Sequence, residues 1–400
     1  MDHATNACRD RAQQPSNKRA STSAMHIPDG FIDTTTAAAT GAVSLGALAY
    51  AVRRTDRDLG ERTVPLLGVT GAFVFAAQML NFPVAAGTSG HLLGAMLAAV
   101  LLGPWAAVIV MSVVLVVQAL AMADGGITAL GANILNVAIL GSLTGYAVFR
   151  LVGKIAPRSR SGYMVAIAVG SWISVMAGAI AAAFELSFSG TIPIRFSLPA
   201  MASVHMVIGM GEAIITTTVI GTVLASRPDL IKNLPQHLRN STNARRPSFN
   251  RSWWRRWGII PVVLTISLAL ATIVAPFASR APDGLEKVAV EQGFAAAAGE
   301  PVWNLSPFSN YTFPGLGEGT LATAAAGAAG TILLFSVVIL LSRRVGRPRP
   351  ETTPKEDHPE SIHPLEGHEH TNHRHAGHSH QTHNHLAAGQ RSAEKSEEKT

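Results

Sequence analysis

The feature that most constrains this chain is a series of long apolar segments spread along its length. A helix needs about 20 mostly apolar residues to cross the hydrocarbon core of a bilayer. Charged residues make up only 14% of the chain, against roughly 25% in soluble domains. The sequence therefore predicts an all-α integral membrane protein with nine transmembrane helices. The nine segments, of which the third is short, are 34–52, 64–81, 88–102, 104–122, 128–149, 162–186, 199–225, 257–279 and 318–342.

The basic residues of the connecting loops predict how this bundle is oriented. Lys and Arg collect after the first, fifth, seventh and ninth segments, whereas the alternate loops are nearly bare. Because loops rich in Lys and Arg stay in the cytoplasm, nine spans place the N-terminus outside and the C-terminus in the cytoplasm. Topology then accounts for the net charge of +7, and we expect contact with membrane lipid and no nucleic-acid partner.

Polar stretches divide the chain into five parts. The first has no apolar run that would make it a secretory signal, and we expect the working protein to begin at Met25. The fourth part contains an external loop at 280–317, and the fifth is polar enough to be disordered. In order, the parts are a polar extension, a seven-helix membrane domain, a basic cytoplasmic linker, a two-helix module and a His-rich tail, at 1–24, 25–226, 227–256, 257–342 and 343–400.

Two histidines next to predicted helix ends are candidate metal ligands. His26 precedes the first helix, and His91 ends the run GTSGH at the outer start of the third. If Met25 were the first residue, its amine and the amide and imidazole nitrogens of His26 could form fused chelate rings. His91 could supply a fourth nitrogen, and planar nitrogen coordination suits Ni(II) or Cu(II). Histidines at helix ends are more commonly ordinary polar residues, so the pattern alone leaves both interpretations open.

The proposed chelate makes two demands on the N-terminal segment. Residues 1–24 must be absent, either because translation starts at Met25 or because a protease exposes it. The segment must also fold back into the bundle, and Pro28 and Gly30 favour the tight loop that this requires.

Three blocks of sequence resemble the CbiM/NikM family. They are MHIPDGFID at 25–33, the stretch from GTSGH to GANILN at 87–136, and HMVIGMGEAIIT at 205–216. Members of this family are the substrate-capture components of energy-coupling-factor transporters for cobalt and nickel. The run PDGLE at 282–286 is similar to the signature of the PDGLE domain, a two-helix accessory module comparable in role to CbiN/NikN.

The resemblance implies a function, a site and partners. It implies a seven-helix capture domain that binds Co²⁺ or Ni²⁺ from outside as its transported substrate. It also implies docking on a transmembrane coupling subunit and two ATPase subunits, which drive import. The metal-binding role of the family maps onto Met25, His26 and His91, and the extension at 1–24 departs from the family pattern. The chain contains no GxxxxGK[ST] run, so ATP hydrolysis must come from separate subunits and the chain itself is not an enzyme.

Polar residues within the apolar segments have two interpretations each. His205 and Glu212 are seven residues apart and share one helix face. They could support the metal site or line the metal's path, or they could form a polar pair that fixes helix packing. Asp124, in the outer loop before the fifth helix, is expected to cap that helix, with attraction of cations as the alternative. Five further residues are expected to form helix–helix hydrogen bonds: Gln78, Asn81, Gln118, Asn133 and Asn136.

The C-terminal tail carries a second candidate metal-binding element. Ten of the 15 histidines fall between His358 and His385. Such a tract chelates divalent transition metals readily, and from the cytoplasm it would buffer imported metal. A solvated tail with incidental affinity is the simpler alternative. Four His-x-His pairs recur at a spacing of five residues: His368 and His370, His373 and His375, His378 and His380, and His383 and His385.

Two other classes of function compete with the transporter subunit. A stand-alone metal/proton transporter would be expected to place carboxylates or broken helices near the bilayer midplane, and Glu212 is the candidate for such a carboxylate. A membrane zinc protease would need a run such as HExxH, which the sequence lacks. The sequence does not separate cobalt from nickel as substrate.

Overall fold

The computed structural model describes residues 26–56, 63–84, 87–243, 258–279, 281–317 and 319–345. Within that part of the chain the fold is mostly helical, and its two strands are only two residues long, so the all-α prediction is confirmed. In chain order the helices are α1 (Thr34–Asp56), α2 (Thr63–Gln78), α3 (Ala95–Leu102), α4 (Pro104–Val117), α5 (Leu130–Asn133), α6 (Ser142–Ile155), α7 (Arg160–Phe188), α8 (Ile194–Ser226), α9 (Gln236–Asn243), α10 (Ile259–Ala269), α11 (Gly284–Glu291) and α12 (Thr320–Val345).

Three π-helical stretches extend these helices. One follows α4, one joins α5 to α6, and one follows α10; they are Gln118–Met122, Ile134–Gly141 and Leu270–Val274. Counting these extensions, the described residues contain seven helices long and apolar enough to cross a membrane. Large apolar side chains on their outward faces, such as Leu45, Ile214 and Leu321, are about 70% exposed. Because such faces suit a lipid environment, the chain is a multi-pass membrane protein.

The structure differs from the predicted helix lengths at the second and third segments, and the count of nine spans stays a prediction. α2 has 16 residues and α3 has only 8. Gly94, before α3, has a φ of +78°, a left-handed conformation that glycine adopts readily and that a regular right-handed helix does not contain. Upstream of it, β1 (Phe82–Pro83) pairs antiparallel with β2 (Ser89–Gly90). Residues 87–94 therefore form a loop rather than the predicted start of a helix.

Small residues allow the helices of the bundle to pack closely, as at Gly145 on α6 and Gly170 on α7. A Cβ on Gly145 would lie 2.9 Å from the carbonyl oxygen of Gly170 on α7, and a Cβ on Gly170 would lie 2.7 Å from that of Gly145. The two backbones are thus in contact. α3 packs against α4, α6 and α7. All but one of its residues are buried.

The C-terminal helices, α10 to α12, pack on the helices that precede them in the chain rather than standing apart from them. α12 runs along α2, where a Cβ on Gly68 would lie 2.9 Å from the Ile339 side chain. Between α10 and α12, the predicted external loop contains a helix, α11, which packs against α8. Asp283 caps α11 by accepting the backbone N–H of Glu286 at 2.8 Å. This two-helix unit and its connecting segment, residues 258–345, are called the C-terminal module below.

Candidate metal site

The segment that begins at His26 is folded back into the bundle. Ile27 donates its N–H to the side-chain oxygen of Asn133 at 3.0 Å, and its carbonyl oxygen accepts from the Asn133 amide nitrogen at 3.1 Å. The N–H of Gly126 donates to the same carbonyl oxygen at 2.9 Å. The prediction that Asn133 bonds another helix is wrong, because its amide is matched to the backbone of this segment. The first turn of α5 therefore fixes the position of His26.

Asp29 ties the same segment to two other loops. Its Oδ1 accepts from the N–H of Thr128 at 2.8 Å and from the hydroxyl at 2.6 Å, and its Oδ2 accepts from the N–H of Val302 at 3.0 Å. Gly30 then turns the chain with a φ of +90°, and a Cβ there would lie 2.6 Å from the carbonyl oxygen of Ala297. The tight loop predicted at this glycine is present.

His91 lies on the loop before α3, and a buried carboxylate holds that loop in place. Glu212, on α8, has no exposed surface. It accepts the N–H of Leu93 at 2.7 Å and the N–H of Gly94 at 3.0 Å. Gln78 donates its side-chain N–H to the carbonyl oxygen of Leu93 at 2.8 Å. The loop thus has its backbone groups satisfied by side chains, which is what allows non-helical backbone to lie inside a membrane bundle.

The structure brings His26 and His91 together. Their ring centroids lie 5.9 Å apart, with the rings tilted by 55°. Both are buried, with 5% and 9% of their surface exposed. Nδ1 of His26 lies 3.2 Å from Oδ1 of Asp124, and Nε2 of His26 is buried without a hydrogen-bond partner among the described residues. A buried ring nitrogen of this kind is available to a metal ion.

Asp124 links His26 to the C-terminal module. Its Oδ2 accepts the hydroxyl of Tyr311 at 2.6 Å. The prediction that Asp124 caps the fifth helix is wrong, because the residue before α5 is Ala129 and no side chain caps that end. Sequence reasoning missed Tyr311 altogether. It lies 187 positions from its partner, and no local pattern in the sequence marks such a contact.

His205 and Glu212 have separate roles, although they share a face of α8 as predicted. His205 is half-buried and donates from Nδ1 to the carbonyl oxygen of Met201 at 2.8 Å. Its ring lies against the start of α11, where a Cβ on Gly284 would be 2.8 Å from Cε1. His205 therefore helps to seat the module on α8, whereas Glu212 supports the loop of His91.

The other polar residues of the helices pair partly as expected. Gln118 donates its side-chain N–H to Oε1 of Gln78 at 2.8 Å, and Asn136 donates to Oε2 of Glu185 at 2.7 Å. Both pairs are buried and both join neighbouring helices, so the prediction is confirmed for these residues. Asn81 instead accepts the N–H of Ser279 through its backbone oxygen. Glu185 was not singled out from the sequence.

The C-terminal module covers the loops that carry the two histidines. Ser89 donates its N–H to the carbonyl oxygen of Pro282 at 2.8 Å. Trp303 Nε1 and the hydroxyl of Ser306 both donate to the carbonyl oxygen of Leu120, at 2.8 and 3.0 Å. Leu120 lies in the π-helical stretch that follows α4. The module therefore supplies two donors to one carbonyl group at this helix end.

Burial also changes the acidity of a carboxyl group in the module. Loss of solvent raises the pKa of Asp283 to about 7, against the opposing effect of the Glu286 N–H. Smaller contributions come from the charges of Asp124, which raises it, and His26, which lowers it. In the sequence, Asp283 stands out only as part of the run PDGLE, and nothing there indicates that it is buried.

Some predicted ligands lie outside the described residues. One is Met25, whose amine is the first donor of the predicted chelate. The others are the paired histidines of the tail, so the predicted buffering element stays a prediction. All eight of these lie outside the described ranges: His368, His370, His373, His375, His378, His380, His383 and His385.

The described side chains do not complete a metal site by themselves. Within the part of the chain that the structure describes, no three His, Cys, Asp or Glu side chains form a group that could hold a metal ion. A site at His26 and His91 would therefore draw further donors from elsewhere, such as backbone nitrogen.

Comparison with known proteins identifies two regions. Residues 26–230 match the family described as the cobalt uptake substrate-specific transmembrane region, CbiM, and residues 257–347 match the PDGLE domain. Over 290 residues the chain is 34% identical to the fused nickel transport protein NikMN of Rhodobacter capsulatus, covering 69% of this chain and 80% of that one. Over 217 residues it is 34% identical to the cobalt transport protein CbiM of Sorangium cellulosum, covering 52% and 96%.

One solved structure, a truncated transition metal transporter, is 33% identical to this chain. It aligns with a TM-score of 0.46, covering 50% of this chain and 98% of that one. The family match spans more than half of the chain, and the similarity to NikMN covers 69% of it. This chain belongs to the CbiM family of cobalt uptake transmembrane proteins and carries a PDGLE domain.

Proposed function

We propose that this chain is the metal-binding membrane subunit of an ATP-driven energy-coupling-factor importer for Co²⁺ and Ni²⁺. Its family and its relatives, named as cobalt and nickel transport proteins, make it a membrane component of cobalt or nickel transport. One observation carries the proposed site. Two histidines from separate motifs meet in a buried place, with ring centroids 5.9 Å apart and only 5% and 9% of their surface exposed.

The proposed metal ligands are the amine of Met25, the amide and imidazole nitrogens of His26, and the imidazole of His91. Four nitrogens in a plane suit Ni²⁺, and the same donors serve Co²⁺. The six-membered chelate ring uses Nδ1 of His26, which faces Asp124 in this structure. Metal capture therefore requires this nitrogen to exchange Asp124 for the metal.

The proposed topology keeps nine crossings of the membrane. The N-terminus lies outside and the C-terminus in the cytoplasm, as the basic loops indicate. The third crossing consists of the loop at residues 87–94 followed by α3. The end of α3 reaches the segment after α8, because Leu101 accepts the N–H of Lys232 at 3.3 Å. Lys232 follows α8 in a basic segment assigned to the cytoplasm. Coupling and ATPase subunits would dock on the bundle and drive release.

Metal accumulation in cells tests this proposal. The chain, starting at Met25, is expressed with and without the coupling and ATPase subunits, and Ni²⁺ and Co²⁺ uptake is measured. We expect uptake well above background with all subunits, and loss of it in His91→Ala. The 400-residue form is the matched control for the Met25 amine and should bind more weakly in calorimetry. Full uptake by this chain alone would identify a stand-alone transporter instead.

A further inference from the structure

Tyr311 lies at the centre of a hydrogen-bonded network beneath the two histidines. In one direction its hydroxyl donates to Oδ2 of Asp124 at 2.6 Å, and Oδ1 of Asp124 lies 3.2 Å from Nδ1 of His26. Tyr311 belongs to the C-terminal module, whereas Asp124 and His26 belong to the region that matches the CbiM family. The module thus reaches a proposed ligand through a single carboxylate.

The network also extends toward the loop of His91. The amide nitrogen of Gln118 lies 3.4 Å from the Tyr311 hydroxyl and 2.8 Å from Oε1 of Gln78. Gln78 in turn donates to the carbonyl oxygen of Leu93 at 2.8 Å. The path from Leu93 through the two glutamines to Tyr311 and Asp124 therefore connects the backbone beside His91 with the ring of His26.

Burial and backbone conformation both indicate that this arrangement is specific. Gln78 and Gln118 have no exposed surface and Asp124 has 3%, and hydrogen bonds are stronger in such a low-dielectric environment. Burial, and then the charge of Asp124, raise the pKa of Tyr311 well above its usual value, so the hydroxyl keeps its proton. Asn310 and Tyr311 have φ of 52° and 54°. Left-handed conformations at non-glycine residues persist where the surrounding contacts hold them, commonly at functional sites.

We infer that Tyr311 is a positioning residue for metal capture, which acts on His26 through Asp124. The inference rests on the proposed metal site. When Nδ1 of His26 leaves Asp124 for the metal, the Tyr311 hydroxyl remains as a donor to the buried carboxylate. Without that hydroxyl, Asp124 lacks both the Tyr311 donor and the His26 donor in the metal-bound state. In the metal-free state it lacks only the Tyr311 donor. The hydroxyl therefore favours the metal-bound state.

Calorimetric titration with Ni²⁺ tests this role in the chain that starts at Met25. We expect Tyr311→Phe to lower the affinity by roughly 10-fold, since loss of a hydrogen-bonding group in the surroundings of a metal's ligands acts on that scale. The ring, and its packing near Phe75, is retained. Tyr50→Phe is the matched control and should bind as the parent does, because Tyr50 lies exposed on α1 against Trp105.

A double-mutant cycle separates positioning from general destabilisation. If Tyr311 acts through Asp124, adding Tyr311→Phe to Asp124→Asn should cause no further loss of affinity. Full affinity in Tyr311→Phe would overturn the inference, and so would an equal further loss in the Asp124→Asn background. His91→Ala tests the site itself. If His91→Ala binds Ni²⁺ as the parent does, the proposed function fails. If His91→Ala loses Ni²⁺ binding but Tyr311→Phe keeps the affinity of the parent, only the role of Tyr311 is refuted.

Discussion

At the scale of single residues, the candidate site depends on side chains that satisfy backbone groups. The loop of His91 cannot hydrogen-bond to lipid, and each unsatisfied backbone group in such a place carries a free-energy penalty. Glu212 accepts two of its N–H groups and Gln78 donates to one of its carbonyl groups. The carboxylate therefore determines where His91 stands, although it is not itself a proposed ligand.

Replacing Glu212 with Gln should weaken both the metal site and the fold. The amide has one acceptor oxygen in place of two, so one N–H of Leu93 or Gly94 loses its partner. We expect about 1–3 kcal/mol of destabilisation and roughly a 10-fold loss of Ni²⁺ affinity, measured by thermal unfolding and calorimetry.

Glu185→Gln is the control for that experiment. Glu185 is also a buried carboxyl group, but its hydrogen-bond partner is Asn136 rather than the loop of His91. Its substitution should leave the Ni²⁺ affinity of the parent protein intact. Equal affinity losses in the two variants would contradict a specific role for Glu212.

At the scale of elements, helix ends rather than helix centres build this region. The π-helical stretch after α4 ends at Met122, and the next residue, Ala123, has a φ of 56°. This turn places Asp124 next to His26. The first turn of α5 holds the N-terminal segment through Asn133. The start of α11 contributes Asp283 and the backbone oxygen of Pro282. Local departures from regular helix are common at functional sites.

The cap of α11 predicts how the stability of the fold depends on pH. The pKa of Asp283 is raised from 3.8 to about 7 in the folded protein, so the folded state binds the proton more tightly than the unfolded state. Stability from this group is therefore present at low pH and is lost as pH rises from about 4 to about 7. The loss is at most about 4 kcal/mol, since one pKa unit corresponds to about 1.4 kcal/mol.

Asp283→Asn should remove this dependence, because Asn also caps helices well and carries no charge. Thermal unfolding midpoints of the metal-free protein at pH 5, 6.5 and 8 measure this pH dependence. The midpoint of the variant should exceed that of the parent by the largest margin at pH 8. The exposed Glu291, which pairs with Lys287 at 3.1 Å, provides the control variant Glu291→Gln. A parent-like fall with pH in Asp283→Asn would show that another group titrates.

At the scale of the whole molecule, the chain combines a CbiM-family membrane domain with a module that packs on it. The module contributes Tyr311 beneath the candidate site, Val302 to Asp29, and Pro282 to the loop of Ser89. These contacts join segments that are far apart in sequence. Fusion of the two parts in one chain keeps the module at a high effective concentration next to the site.

The His-rich tail is proposed to buffer metal rather than to transport it. Deletion of 351–400 should lower the number of Ni²⁺ ions bound per protein, because it removes all four His-x-His pairs. Uptake by the complete transporter should be retained. The number of bound ions is measured by equilibrium dialysis and uptake by metal accumulation in cells. Loss of uptake in the deleted form would assign the tail a part in transport.

The sequence by itself determined the membrane class and the identity of the proposed ligands. Apolar segments of spanning length require a helical bundle, because backbone groups in lipid must be satisfied within the segment. Runs such as MHIPDGF and GTSGH mark His26 and His91 through their neighbours in sequence. Gly30 also indicated the tight turn of the N-terminal segment, because such turns depend on local backbone geometry.

The tertiary structure alone decided which residues stand behind the histidines. The contact between Asp124 and Tyr311 spans 187 positions and that between Glu212 and Leu93 spans 119, and side chains so far apart leave no periodicity in the sequence. It also decided that the segment before α3 is a loop. Apolar composition predicts burial but does not distinguish a helix from a loop whose backbone groups are satisfied by buried side chains.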